Sequence, residues 1–176
     1  LLLGAGFEPE KFLPMPTLGN HLQANGIATH SFLPTHIINS GLSQMHMNGT
    51  NLYGYHSVAE LWHTLREFLN RTSNQKQFVW AYYPMVDTLS HAYGPAVEWV
   101  EDEARAFGKM MMTACLDRLD KNARGDTVFA VVADHGQVDT PRDDHLDLSH
   151  HRELTEMLHL MPSGENRATY LHCRPN

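Results

Sequence analysis

Two apolar runs constrain this chain more than anything else in it: Phe78-Val-Trp-Ala-Tyr-Tyr83 and Thr127-Val-Phe-Ala-Val-Val-Ala133. Both have the length and the β-branched and aromatic content of buried strands. Between them, from Pro95 to Asn122, Val97, Val100, Ala104, Phe107, Met111 and Ala114 recur as the apolar stripe of one long helix. Strand, helix and strand in that order predict a right-handed parallel crossover, which brings the ends of both strands to one edge of a sheet. In open α/β sheets, ligands and chemistry collect at the carboxyl ends of the strands.

Each run is followed at that edge by an aspartate and a histidine. Pro84 ends the first run, and Asp87-Thr-Leu-Ser-His91 comes next. A helix starting after Pro84 puts Asp87 and His91 on one face, a turn apart. Asp134 and His135 directly follow the second run. As neighbours they share no helix face, so their convergence requires a backbone turn, for which Gly136 supplies the freedom. Aspartate oxygen and imidazole nitrogen suit zinc, and also manganese or iron, at about 2.0–2.2 Å. Either pair alone reads most simply as surface residues. Together, each behind its own strand, they point to a metal centre ligated by Asp87, His91, Asp134 and His135.

The rest of the chain alternates helix and strand. Pro16-Thr17 opens a short helix that Asn25-Gly26 closes, and Ile27 to Leu33 reads as a strand ended by Pro34. Thr35 to Tyr55, rich in Asn, Gly, His and Ser, reads as mostly loop. Ser57 caps a helix with Val58, Leu61, Trp62, Leu65, Phe68 and Leu69 on its apolar face. Gly125-Asp126 is expected to turn the chain into Thr127–Ala133. Glu153 to Leu160 reads as a short helix, and Pro162 to Arg167 as a turn into a last strand from Ala168. Asp143, Asp144, His145, Asp147, His150 and His151 crowd together, but Asp and Ser serve as ordinary turn and cap residues, and that reading is preferred to a third metal. Arg167 reads as solvated rather than as a phosphate ligand.

Composition limits the partners. A net charge of -7 argues against a nucleic-acid groove, which needs a basic face, but not against phosphate substrates, since bound cations reverse the local field. No apolar run approaches the roughly 18–20 residues of a membrane span. The 2 cysteines, Cys115 and Cys173, make no disulfide framework. Asn48-Gly-Thr50 and Asn70-Arg-Thr72 match the glycosylation triplet, which matters only in a eukaryotic secretory protein, and the compartment stays undetermined.

The stretch Tyr82-Tyr-Pro-Met-Val-Asp-Thr-Leu-Ser-His-Ala-Tyr-Gly-Pro95, followed by Val131-Val-Ala-Asp-His-Gly-Gln137, resembles the type I phosphodiesterase/nucleotide pyrophosphatase family of the alkaline phosphatase superfamily. A looser similarity runs from Thr17-Leu-Gly-Asn-His-Leu-Gln-Ala-Asn-Gly26 to Gly164-Glu-Asn-Arg167. The resemblance implies an α/β fold of three α/β/α layers around a mainly parallel sheet. It also implies two divalent metal ions, zinc with manganese as the alternative, one served by Asp87 and His91 and the other by Asp134 and His135. The implied activity is hydrolysis of phosphodiester or pyrophosphate bonds in a phosphate-ester or nucleotide-like small molecule, through a Thr or Ser nucleophile.

This sequence also departs from the family pattern. The family's early Asp and its nucleophile motif are not evident before Asp87, and no His-Gly dipeptide follows the one at His135. Thr35, in Phe32-Leu-Pro-Thr-His-Ile-Ile-Asn39, stands in a hydroxyl position, but no strand-end Asp precedes it. The expectation is therefore an incomplete fold: residues 1–176 form a single partial catalytic domain, the middle of a larger one, with the nucleophile outside it. Such a chain would hold metal weakly, hydrolyse little by itself and tend to self-associate through exposed sheet edges. The competing readings are another hydrolase or mutase of the same superfamily, acting on phosphomonoesters, phosphonates or sulfate esters, and a non-catalytic fragment binding at most one metal.

Overall fold

The computed structural model describes residues 4, 6, 8–140, 147–165 and 168–175. It divides into two compact units, Leu1–Val138 and Asp139–Asn176. The first opens with a single helical turn, α1 (Pro9–Phe12), and a short helix, α2 (Leu18–Ala24). Thr17 caps α2 by accepting from the Asn20 backbone, and the Asn20 side chain returns the bond. Strand β1 (Ala28–Pro34) follows, then α3 (Gly41–His46), β2 (Asn51–Tyr55), α4 (Val58–Arg71) and β3 (Gln77–Ala81).

The three strands form a parallel sheet in the order β2-β1-β3. As the central strand, β1 is buried from Thr29 to Pro34, which requires cover on both faces. On one face Phe32 packs edge-on against Phe68 of α4, with ring centroids 5.6 Å apart. On the other, the Ser31 hydroxyl reaches the Met47 sulfur at the end of α3. This is an α/β fold with a parallel sheet flanked by helices, as the sequence led us to expect. The core joins Phe32 and Tyr55 of the sheet to Leu61, Trp62, Leu65, Phe68 and Leu69 of α4. Ala114, Cys115, Leu119 and Ala123 join the same core.

Four details of the sequence reading are corrected. The segment Thr35 to Tyr55 is not mostly loop, because it contains α3, capped by Ser40, and the edge strand β2. The long helix is interrupted. After α5 (Met85–Tyr93), helix α6 spans Glu98–Met110, a π turn covers Met111–Cys115, a 3₁₀ turn follows at Leu116–Arg118, and α7 spans Lys121–Asp126. The π turn buries both Ala114 and Cys115, and Arg66 of α4 donates to the Ala114 carbonyl, so that acceptor does not stay unpaired. Gly125 and Asp126 end α7 rather than forming a turn. Finally, Thr127–Ala133 joins no strand ladder: Val128, Val131 and Val132 are 96%, 67% and 83% exposed.

In the second unit, Asp147 caps a 3₁₀ turn (Leu148–His150) by accepting from the Ser149 backbone, which is the cap role expected of it. Helix α8 (Arg152–Glu156) is shorter than its pattern suggested. The expected turn at Pro162 contains strand β4 (Ser163–Glu165), which forms an antiparallel hairpin with β5 (Ala168–Tyr170). Asp143, Asp144, His145 and Arg167 lie outside the described residues.

Candidate metal centre

All three strands of the parallel sheet run to a common carboxyl edge, where Pro34, Tyr55 and Ala81 lie. One hydrogen bond prolongs this edge, from the Tyr82 N–H to the Phe32 carbonyl, and the Tyr55 hydroxyl donates to the Tyr82 carbonyl at 2.5 Å. The chain then passes Pro84, whose fixed φ suits a helix start, and enters α5. Asp87 occupies the first turn of α5, where a carboxylate is favoured by the helix dipole, and His91 the last turn. Ser90, buried between them, donates to the Val86 carbonyl. Gly94, at φ +91°, ends the helix in a conformation that suits glycine.

Asp87 and His91 share the predicted face, with His91 Nε2 at 3.3 Å from Asp87 Oδ1. The second pair reaches the same oxygen. His135 Nε2 stands 3.8 Å from Asp87 Oδ1 and 3.7 Å from Asp134 Oδ2. The structure therefore brings His91 and His135 to Asp87, with Asp134 beside His135, although the strand expected to deliver the second pair does not form. Nor does the turn use left-handed backbone at Gly136, since its φ is not positive. Side chains make the convergence instead.

Local bonds set the orientation of these groups. The His135 N–H donates to Asp134 Oδ1 at 3.1 Å. His135 Nδ1 lies 3.0 Å from the Gly136 carbonyl, which only accepts, so the neutral ring carries its proton on Nδ1 and its lone pair on Nε2. That is the tautomer in which Nε2 can ligate a metal. Asp87, His91 and His135 side chains are 41%, 50% and 52% exposed, open to solvent and solutes.

Two neighbours escaped the sequence reading. Gln137 donates from Nε2 to Asp87 Oδ1 at 2.6 Å. Tyr82 is held above its ordinary pKa by burial first, then by the negative charges of Asp87 and Asp134. Its phenol therefore stays protonated beside both carboxylates. Gln137 follows Asp134 by three residues, and Tyr82 lies within the first apolar run, but nothing in either residue type marks it as part of a site. Thr35 has a structural task here. Its N–H and hydroxyl both donate to the Tyr55 carbonyl, at 2.9 and 3.0 Å, prolonging the β1–β2 ladder.

In donor type the cluster fits a divalent cation: two carboxylates and two imidazoles, one with its tautomer fixed. Two ligands on a tetrahedral ion at about 2.0–2.1 Å stand about 3.3 Å apart, which matches the 3.3 Å between His91 Nε2 and Asp87 Oδ1, whereas the 3.8 and 3.7 Å spacings of His135 Nε2 are longer. As arranged, however, the groups pair with one another and with Gln137. Among the described residues, no three or more His, Cys, Asp or Glu side chains are grouped so as to hold a metal ion.

The family model of type I phosphodiesterase / nucleotide pyrophosphatase matches residues 20–176. The chain belongs to that family. It is a hydrolase family, and the match spans α2 through β5, including all four clustered residues. No curated protein and no solved structure matches the chain. Among the described residues, no helix is long and apolar enough to cross a membrane.

Proposed function

We propose that this chain supplies the ligands of a divalent-metal site in a hydrolase of phosphodiester or pyrophosphate bonds. Asp87, His91, Asp134 and His135 would hold up to two ions, zinc with manganese as the alternative. The observation that carries this reading is the approach of both imidazoles to Asp87, with Asp134 beside His135, off the carboxyl edge of a parallel sheet. Membership of a hydrolase family agrees with it.

When bound, the cations would supply Lewis acidity for a phosphoryl oxygen and charge neutralisation of the anionic substrate. The chain's own residues do the positioning. Helix α5 presents Asp87 and His91 one turn apart. The Gly136 carbonyl fixes the His135 tautomer, and Tyr82 offers a protonated phenol next to the carboxylates. A phosphate-ester or nucleotide-like molecule is the substrate class this chemistry suits.

The test is metal-dependent hydrolysis. With Zn²⁺ or Mn²⁺ added, the protein is expected to cleave bis(p-nitrophenyl) phosphate in preference to the monoester, slowly. Asp87→Asn should lower the metal-dependent rate at least about ten-fold, the cost of removing an interaction worth about 1.4 kcal/mol in the transition state. A rate indifferent to metal and to Asp87→Asn would defeat the proposal. Preference for the monoester would shift it to another activity of the superfamily.

A further inference from the structure

From Val128 to Thr140 every residue is exposed except Gln137, which is half-buried. Its side chain turns inward to Asp87, and its 2.6 Å bond is as short as charge-assisted bonds become. The acceptor, Oδ1, is the same oxygen that faces His91 Nε2 at 3.3 Å and His135 Nε2 at 3.8 Å. The partial positive charge of the amide N–H₂ therefore lies against the oxygen that a cation shared between Asp87 and either imidazole would need.

We infer that Gln137 is a built-in competitor for the metal: its amide caps Asp87 Oδ1, and a cation enters the cluster by displacing it. The inference rests on the metal-centre reading above and adds a regulatory element to it. Three features of the cluster support it. A carboxylate oxygen accepts only about two good hydrogen bonds, and Oδ1 already faces three nitrogens. Gln137 is not itself a metal donor of the histidine or carboxylate class, so its presence does not complete a site. The four donors, although assembled, are paired off with one another, and no group of three is set to hold an ion among the described residues.

Removing the amide should therefore tighten metal binding rather than weaken it. A hydrogen bond to a charged group contributes about 1.5–3 kcal/mol, so its removal predicts Zn²⁺ affinity about ten- to a hundred-fold higher. Zn²⁺ affinity would be measured by competition with a chromophoric chelator on the wild-type chain, Gln137→Met, Gln137→Leu and Asp87→Asn. Circular dichroism would confirm that each is folded, and the two apolar variants guard against one failing to fold. The expected result is tighter binding in both Gln137 variants, with binding lost when Asp87→Asn is added. Equal or weaker binding in the Gln137 variants, with Asp87→Asn still abolishing it, overturns the competitor role and leaves the metal centre standing. Zn²⁺ binding that is absent throughout, or indifferent to Asp87→Asn, overturns both.

Discussion

Mild acid should destabilise this protein through His30. The ring sits in the central strand with only 9% of the residue exposed, 4.6 Å from the Phe68 ring and 5.9 Å from that of Tyr53. Its Nδ1 is 3.3 Å from the Tyr53 hydroxyl, while Nε2 is buried and has no hydrogen-bond partner among the described residues. Protonation would make both nitrogens donors and leave a charged N–H facing aromatic carbon. Burial accordingly lowers the His30 pKa. In the unfolded chain the ring titrates near its ordinary value of about 6.5. Because the folded pKa is the lower one, the unfolded state binds more protons below that value. Stability is therefore fully present above about pH 6.5 and is lost as pH falls through and below it. If the folded ring stays neutral, the loss between about pH 7.5 and about pH 5.5 is about 1.4 kcal/mol, and less if it begins to titrate. That is a substantial share of the 5–15 kcal/mol typical of a domain. Urea unfolding of wild type and His30→Phe at both pH values separates this group from the other histidines. The phenyl ring keeps the aromatic packing and cannot charge, so the variant should lose less stability on acidification. Parallel pH dependences in the two proteins would refute the argument.

Two further predictions concern the core. Leu61, at 0% exposure in the first turn of α4, should cost about 3 kcal/mol when changed to Ala, read as a lowered urea midpoint, and a loss below about 1 kcal/mol would mean the α4–sheet contact is not the core. Cys115 is fully buried and burial pushes its thiol up to about 11, whereas Cys173 is exposed. A thiol reagent at about pH 8 should therefore titrate one cysteine in the native protein and the second only in denaturant; rapid reaction of both would show that the π turn is open.

The elements legible in the sequence are those whose own residues dictate them. Thr17 and Ser57 are N-caps, the apolar face of α4 has helical period, and the run into Ala81 is apolar enough to be a strand anywhere. Strand β2 was missed because Asn51-Leu-Tyr-Gly-Tyr55 contains two poor strand formers. It is a strand because β1 offers it a ladder. At Gly54 a Cβ would come within 2.8 Å of the Thr35 side-chain methyl, so the close approach of that side chain favours the very glycine that argued against a strand. The break in α6 was equally hidden. Hydrophobic period continues through Met111 and Ala114, while the π turn depends on what α4 and Arg66 present to it.

The centre shows the opposite balance. Its four residues stand out in the sequence as candidates, but the strand expected to bring them together does not form. Parallel crossover from β3 to Thr127–Ala133 would have aligned the two pairs through backbone, but that run forms no ladder and its valines face solvent. Asp87 holds the assembly together instead. It receives His91 from its own helix, and His135 and Gln137 from a segment without regular structure. Two of these contacts are between half-exposed groups and are worth little in water, whereas the Gln137 bond is short and partly buried. The residue that most firmly ties the second pair to the first is thus the one that also blocks Asp87. Tighter Zn²⁺ binding by Gln137→Met therefore requires that freeing Asp87 Oδ1 outweighs the loss of this tie, as the strength of a hydrogen bond to a charged group against that of half-exposed ion pairs predicts.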